Sequence, residues 1–283
     1  MILIADSGST KTDWALINGD HSVVRFASAG MNPNTTPDAE LEHLLSAQET
    51  LLSHRQDIQR VYFYGAGCTG AENIRRMQQL LSAFFSSASV TIHSDMTGAV
   101  HAVRTGNEPC ITGILGTGAN SCYFNGASIT GLHFSPGFII GDEGSGAWIG
   151  KRLLRDYTYQ IMPHTLRELF AQQFDLERSL ILQGVYRSAA PGAYLGSFAP
   201  FALEHMHDAY IQALLQEGIQ QYIQFYICRF TVSHDVAVHM IGGIAWRLQE
   251  MITAELHNKG MRVGKFIQTP MEGLIALHIQ EAH

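Results

Sequence analysis

The first thirty positions alternate between apolar runs and small polar turns. Ile2-Leu3-Ile4-Ala5 gives way to Asp6-Ser7-Gly8-Ser9-Thr10-Lys11-Thr12, then Trp14-Ala15-Leu16-Ile17, the turn Asn18-Gly19-Asp20, and Val23-Val24-Arg25-Phe26. Short apolar runs bounded by Gly, Asn and Asp predict a three-stranded meander whose first hairpin carries a polar loop. The same order returns roughly 110 residues later, a spacing too long for a solenoid repeat. There Ile111-Thr112-Gly113-Ile114-Leu115 leads into Gly116-Thr117-Gly118-Ala119-Asn120-Ser121, followed by Cys122-Tyr123-Phe124, Asn125-Gly126 and Ser128-Ile129-Thr130-Gly131-Leu132. Two related lobes, each opening with a meander, are the expectation.

Between the meanders, Leu41, Leu44, Leu45 and Leu52 recur at helical spacing after Pro37 and predict a helix over 38–53. A buried strand at 61–64 ends in Gly65-Ala66-Gly67, and a helix over 71–85, a strand at 90–93 and a helix over 95–103 follow. That alternation argues for a sheet with parallel members covered by helices. Beyond Asp142 the pattern turns helical, most clearly over 144–156, 164–174 and 208–230. A strand at 236–241, the pair Gly242-Gly243, a helix over 245–257, a strand at 265–269 and a helix over 271–283 complete the chain. The lobe boundary falls near Thr105-Gly106-Asn107-Glu108-Pro109, giving 1–107 and 108–270.

Composition narrows the class. Of 283 residues, 46% are hydrophobic and 15% charged. This excludes a disordered chain and a coiled coil. The 18 Lys and Arg against 25 Asp and Glu give a net charge of −7 with no basic run, so no electrostatic footprint for nucleic acid is present. No apolar stretch approaches the ~20 residues that cross a bilayer, and the opening residues lack the basic and apolar segments of a secretion signal, so a cytoplasmic protein is expected. Cys68, Cys110, Cys122 and Cys228 form no CxxC pair and read as buried free thiols.

Several segments have chemical content. In Asp6–Thr12 an acid precedes small residues that let backbone N–H groups approach an anion, although an ordinary polar hairpin fits the stretch equally well by itself. Gly116–Ser121 is a second such loop at the matching point, and as a pair the two suit a polyphosphate. Ile241-Gly242-Gly243-Ile244-Ala245 turns a strand end into a helix. Its glycines would let a ring or ribose pack flat, while a tight turn is the simpler account. Asp95 stands at a helix start, where either Ser94 or Asp95 serves as N-cap. As an alternative role, Asp95 is placed to act as a general base. Asp142-Glu143, between Gly141 and Gly144, either complement a helix dipole or hold sugar hydroxyls. His205 and His207, two apart, point away from each other on a helix and do not make a metal site.

Together these pieces resemble the sugar kinase/Hsp70/actin superfamily of ATPases. Asp6–Thr12 resembles its first phosphate motif, Leu115–Ser121 its second, and Ile241–Ala245 its adenosine motif. Gly116-Thr117-Gly118 followed by Gly141-Asp142-Glu143-Gly144-Ser145 and Trp148-Ile149 is similar to the N-acetylglucosamine kinase branch of the BadF/BadG/BcrA/BcrD family. The resemblance implies an α/β architecture of two ribonuclease-H-like lobes, each a mixed five-stranded sheet with flanking helices, with a cleft between them and the terminal helix 271–283 packing back on the first lobe. It implies ATP and Mg²⁺ as cofactors, a small amino sugar as substrate, phosphorylation at the sugar 6-hydroxyl, no nucleic-acid or membrane partner, and leaves a homodimer open. By the same resemblance Asp95 is the base, Asp142 and Asn32 contact the sugar, and Thr117 and Gly118 face both sugar and γ-phosphate. Asp6 would hold hydrated Mg²⁺. Gly8, Ser9, Thr10, Lys11, Thr12, Gly116, Gly242 and Gly243 would line the nucleotide.

Two features depart from the family pattern. Phe134-Ser135-Pro136-Gly137 replaces a Cys-Gly-Gly-like sugar-contacting stretch, and Asn34 stands where relatives place an aromatic residue. Two rival readings are an ATP-driven activator of an acyl-CoA dehydratase, with an iron–sulfur cluster shared between subunits, and a non-catalytic sugar sensor. The activators lack the Gly-Asp-Glu-Gly-Ser segment, and the sensors usually add a helix-turn-helix ahead of the first strand.

Overall fold

The computed structural model describes residues 1–8, 10–132 and 135–281. The chain divides into two compact units, Met1–Val103 with Pro270–His283, and Arg104–Thr269.

The first unit runs β1 (Ile2–Ser7), β2 (Lys11–Ile17), β3 (Val23–Ala29), α1 (Asp38–Ser46), α2 (Glu49–His54), β4 (Arg60–Gly65), α3 (Ala71–Phe84), β5 (Ser89–Ser94) and α4 (Asp95–Val103). Its sheet has the order β3-β2-β1-β4-β5, with β1 to β3 antiparallel and β4 and β5 parallel to β1. The inner strands are covered on both faces, as their nearly continuous apolar runs require. Leu3, Trp14 and Phe63 pack with Leu41, Leu45, Met77 and Leu81 on one face. On the other, Ile4, Ala15 and Tyr64 meet Leu274 and Ile275 of the C-terminal helix Met271–Gln280.

The second unit repeats the plan with β6 (Cys110–Leu115), β7 (Ala119–Phe124) and β8 (Ile129–Leu132). The helices α5 (Gly146–Thr158), α6 (His164–Gln173), α7 (Arg178–Tyr186), α8 (Pro191–Gly196), α9 (Ala199–Glu204) and α10 (Ala209–Tyr222) follow, the last running into a π-helical turn at Ile223–Ile227. Then come β9 (Ala237–Ile241), α11 (Gly243–Arg247), α12 (Gln249–Asn258) and β10 (Arg262–Ile267). The sheet order β8-β7-β6-β9-β10 and its strand directions are those of the first unit. The internal repeat expected from the two meanders is therefore a repeat of the whole five-stranded mixed sheet. Among the described residues no helix is long and apolar enough to cross a membrane.

The expected helix over 38–53 is two helices, broken at Ala47 and Gln48, with Gln48 extended at ψ 104°. A continuous helix at ~100° per residue would put Leu41, Leu45 and Leu52 on one stripe and Leu51 about 80° away. The break re-phases the chain, so Leu51 is 1% exposed and Leu52 is 48% exposed. The helix expected over 245–257 likewise divides at Leu248, and the one over 208–230 gives way to the π-helical turn after Tyr222.

Candidate active site

Both candidate loops lie at the carboxyl ends of parallel strands, where open α/β sheets bind ligands. In the first unit Asp6, near the end of β1, pairs across the sheet with Asp13 and lies beside Tyr64. The turn after it is closed by the Gly8 N–H donating to the Lys11 carbonyl at 2.9 Å. Thr10 and Lys11 are exposed, and Lys11 pairs with Asp13 at 2.6 Å. Ser9 lies outside the described residues. Thr12 is buried, and its hydroxyl donates to the Ala29 carbonyl at 3.1 Å while meeting Ser7 Oγ at 2.8 Å. Ser7 Oγ also accepts the Met31 N–H at 3.0 Å. Ser7 and Thr12 thus fasten the hairpin to the end of β3.

Asp95 opens α4 directly after β5. Ser94 Oγ accepts the Thr97 N–H at 3.2 Å and takes the capping role, whereas Asp95 Oδ1 accepts the adjacent Met96 N–H at 2.8 Å and the carboxylate also meets its own backbone N–H. Burial pushes the Asp95 carboxyl up to about 6. It pushes Asp6 up to about 7, with repulsion from Asp13 and Asp95 adding to it. The Cys68 thiol is raised to about 12 by burial and by Asp95. Two carboxylates and a thiol therefore sit within electrostatic reach of one another, with no arginine among the groups that perturb them.

Asn32 is buried in the loop after β3, its Oδ1 accepting the Asn34 N–H at 2.9 Å. Gly67, at φ +82°, packs so closely that a Cβ there would stand 2.2 Å from Asn32 Oδ1. Asn73 Nδ2 donates to Asn34 Oδ1 at 2.6 Å and to the Gly67 carbonyl at 3.0 Å. Arg76, one turn further along α3, holds the Pro33 and Thr36 carbonyls and pairs with Asp38. Sequence reasoning missed Gly67, Asn73 and Arg76. The i,i+3 spacing of the last two on the first turns of α3 was the available signal.

In the second unit the Gly116 N–H donates to the Gly118 carbonyl at 3.0 Å. The first turn of α5 docks on this loop, with Gly146 N–H on the Gly116 carbonyl at 2.8 Å and Ala147 N–H on the Thr117 carbonyl at 3.0 Å. Two orphan donors of a helix start are satisfied in this way. Gly116 has nothing within 4 Å of a Cβ position, so its outer face is open. Asp142 is buried at φ +57°, its Oδ1 accepting Ala119 N–H at 3.2 Å and Ser135 Oγ–H at 3.0 Å. Its Oδ2 lies over Gly118, 3.1 Å from where a Cβ would stand. Burial raises the Asp142 carboxyl despite these donors. Lys151 Nζ ties the Phe138 and Ile139 carbonyls at 2.8 and 3.2 Å.

Gly242 turns the end of β9 into α11 and packs against the end of β6. At φ +119° a Cβ would meet the Leu115 carbonyl oxygen at 2.4 Å, whereas Gly243 has nothing within 4 Å. The first glycine is thus needed by the fold, and the second leaves an open surface. A groove of about 950 Å³ in this unit is lined by residues that include Met206, His207, Gln212, Gln216, Trp246 and Arg247. Trp246 and Arg247, just past the glycine pair, were not singled out from the sequence.

A protein from Porphyromonas gingivalis, described as a candidate N-acetylglucosamine kinase, matches the chain at 34% identity with a TM-score of 0.92, and the match covers 100% of both chains. The chain belongs to the N-acetylglucosamine kinase-like family of the sugar kinase/Hsp70/actin superfamily. The same fold extends to a candidate N-acetylglucosamine kinase from Chromobacterium violaceum, at 18% identity, 98% coverage of each chain and a TM-score of 0.70. It reaches a ROK family glucokinase from Streptomyces griseus, solved with glucose and AMPPNP, at 15% identity, 99% and 98% coverage and a TM-score of 0.57. No protein-family model matches the sequence, and no curated protein does. Family membership thus rests on the full-length likeness to the Porphyromonas protein, and the fold it carries is the duplicated sheet with its paired strand-end loops.

Proposed function

We propose that this protein transfers the γ-phosphoryl group of ATP to the 6-hydroxyl of N-acetylglucosamine or a related amino sugar. The observation that carries the reading is Asp95: a half-buried carboxylate at a strand end, relieved of helix capping by Ser94, with its carboxyl raised to about 6. A base poised near neutrality can take a hydroxyl proton in the transition state and still be ionised beforehand. Names and ligands of the relatives point the same way, toward amino sugar as acceptor and ATP as donor.

In this reading Asp95 removes the proton from the 6-hydroxyl as that oxygen bonds to the γ-phosphorus, and the bond from the γ-phosphorus to the β,γ-bridging oxygen breaks to release ADP. Little covalent work falls to the protein, so positioning and charge neutralisation dominate. Asn32 and Asp142 hold sugar hydroxyls, and Thr117 and Gly118 present the phosphate-binding loop. Thr10 and Lys11 line the phosphate path, with Gly8, Thr12 and Gly116 shaping it. Gly243, beyond the turn that Gly242 makes, leaves a flat approach for the adenosine, and the exposed indole of Trp246 offers a surface for the base.

Mg²⁺ fits the donor set around Asp6. Asp6 is a carboxylate under repulsion from Asp13 and Asp95, and a hard cation would relieve that repulsion. No three His, Cys, Asp or Glu side chains converge as a closed metal cage among the described residues, and Mg²⁺ bound through one carboxylate, water and substrate phosphates does not need one. When bound it would neutralise charge on the phosphates.

The test is a coupled ADP-release screen across amino sugars and hexoses with Mg²⁺ and ATP. Turnover with N-acetylglucosamine or a close relative, absent in Asp95→Asn, is the expected result. A flat response across all sugars overturns the reading.

A further inference from the structure

We infer that Tyr226 is a positioning residue, setting the acceptor-sugar carboxylate Asp142 through the π-helical turn that follows α10. The inference rests on the reading of Asp142 as a sugar ligand. Asp142 occupies the left-handed region at φ +57°, uncommon for a non-glycine residue although aspartate is among those that adopt it, and here the backbone is tied in place. The hold is visible. The Asp142 N–H donates to Tyr226 Oη at 3.0 Å, inside the buried part of the unit.

The turn that carries Tyr226 is itself fastened to β7. Ser121 Oγ–H donates to the Tyr226 carbonyl at 2.7 Å, and Tyr222 Oη–H donates to the Asn120 carbonyl at 3.1 Å. The rings of Tyr222 and Tyr226 stack at 5.1 Å with 15° between their planes. Gly113 leaves room for this pair, since a Cβ there would stand 2.2 Å from Tyr222 Oη. π-helical turns of this kind recur at functional sites, and here the turn lets both tyrosines reach the strand that begins at the phosphate loop.

The consequence is a division of labour between the two carboxylate oxygens. Oδ1 is occupied by Ala119 N–H and Ser135 Oγ–H, and the Ser135 hydroxyl also reaches Tyr226. Oδ2 is set over Gly118, where the absence of a Cβ leaves space. Tyr226 and Ser135 thus fix the backbone and one oxygen of Asp142, leaving the other to accept a sugar hydroxyl.

Tyr226→Phe removes the hydroxyl and keeps the stacked ring. The expected result is a sugar KM raised about tenfold, the worth of one positioning hydrogen bond, with kcat within about twofold of wild type and the KM for ATP unchanged. Adding Asp142→Asn should raise the sugar KM no further than Asp142→Asn alone, because both act through one group. A crystal structure of Tyr226→Phe should show Asp142 turned away from Gly118. Ser135→Ala, acting from the other side, should also raise the sugar KM. A sugar KM at the wild-type value in Tyr226→Phe, or additive effects in the pair, overturns the inference. If the wild-type protein phosphorylates no sugar, the kinase reading fails, and the crystal structure alone decides: Asp142 unmoved in Tyr226→Phe overturns the positioning role.

Discussion

Ser94 Oγ accepts the Thr97 N–H at 3.2 Å, and its neighbour Asp95 is thereby spared the task of capping α4. Two residues that are both good N-caps stand side by side, and the fold assigns the cap to one and leaves the other half-buried and ionisable. Ser94→Ala should lower stability by about 1 kcal/mol, the ordinary worth of a cap, and reduce kcat only a few-fold. Asp95→Asn should do the reverse, removing ~10²–10⁴-fold of turnover while leaving the fold intact. Thermal melts and steady-state kinetics on the two variants separate the roles.

Asp95→Asn should also be more stable than wild type at neutral pH. Burial raises the Asp95 carboxyl from 3.8 to about 6, so between these values the folded chain binds more protons than the unfolded one. Stability therefore falls as pH rises through this window and stays reduced above it, and the amide removes that cost, on the order of 1–2 kcal/mol. Denaturant melts at pH 7.5 and pH 4.5 should show the larger advantage for the variant at the higher pH, with about a third of it left at pH 4.5, where the unfolded carboxyl is still mostly ionised.

The same carboxyl sets the acid limb of activity. As pH drops through about 6 the base takes up a proton, and kcat/KM should decline tenfold per pH unit below it. A pH–rate profile with no acid limb between pH 5 and 7 would remove Asp95 from the role of base.

His239 gives an opposite pH signature on stability. Its Nδ1 accepts the Lys265 N–H at 2.8 Å and must be unprotonated to do so, and burial lowers its value to about 4. The unfolded chain binds the extra proton between 6.5 and 4, so this group's contribution is lost as pH falls through that window. His239→Gln can still offer an oxygen to Lys265 and does not titrate. Its melting temperature should depend less on pH over that range than the wild type's.

The two glycines after β9 should respond differently to an added methyl. Gly242→Ala places a Cβ 2.4 Å from the Leu115 carbonyl at φ +119°, which should destabilise by more than 1 kcal/mol. Gly243→Ala meets nothing within 4 Å and should keep the wild-type melting temperature while raising the KM for ATP. Scanning calorimetry paired with nucleotide titration distinguishes a fold requirement from a binding surface.

The strands of both sheets were legible because short apolar runs bounded by Gly, Asn and Asp mark them, although β10 begins at Arg262, ahead of the expected 265, and the repeated meander announced the duplication. What the pattern concealed has physical causes. Leu41, Leu45 and Leu52 keep helical phase straight through Ala47 and Gln48, so no local signal marks the break that buries Leu51 instead. The run 208–230 likewise shows an uninterrupted helical pattern, and the π-helical turn at Ile223–Ile227 depends on hydrogen bonds from β7, distant in sequence. Ser94 and Asp95 could not be told apart as caps from composition alone. Tyr226, Asn73 and Arg76 act on Asp142 and the Asn32 loop through contacts between segments far apart in the chain, which periodicity does not encode.

Asp95 as the base that activates one particular hydroxyl is tested most directly by the identity of the product. Wild-type protein incubated with Mg²⁺, ATP and N-acetylglucosamine, followed by ³¹P–¹H correlation NMR, should yield phosphate coupled to the two protons on carbon 6, with no such product from Asp95→Asn. Phosphate on the anomeric oxygen, or the 6-phosphate formed at wild-type rate by Asp95→Asn, would contradict the account.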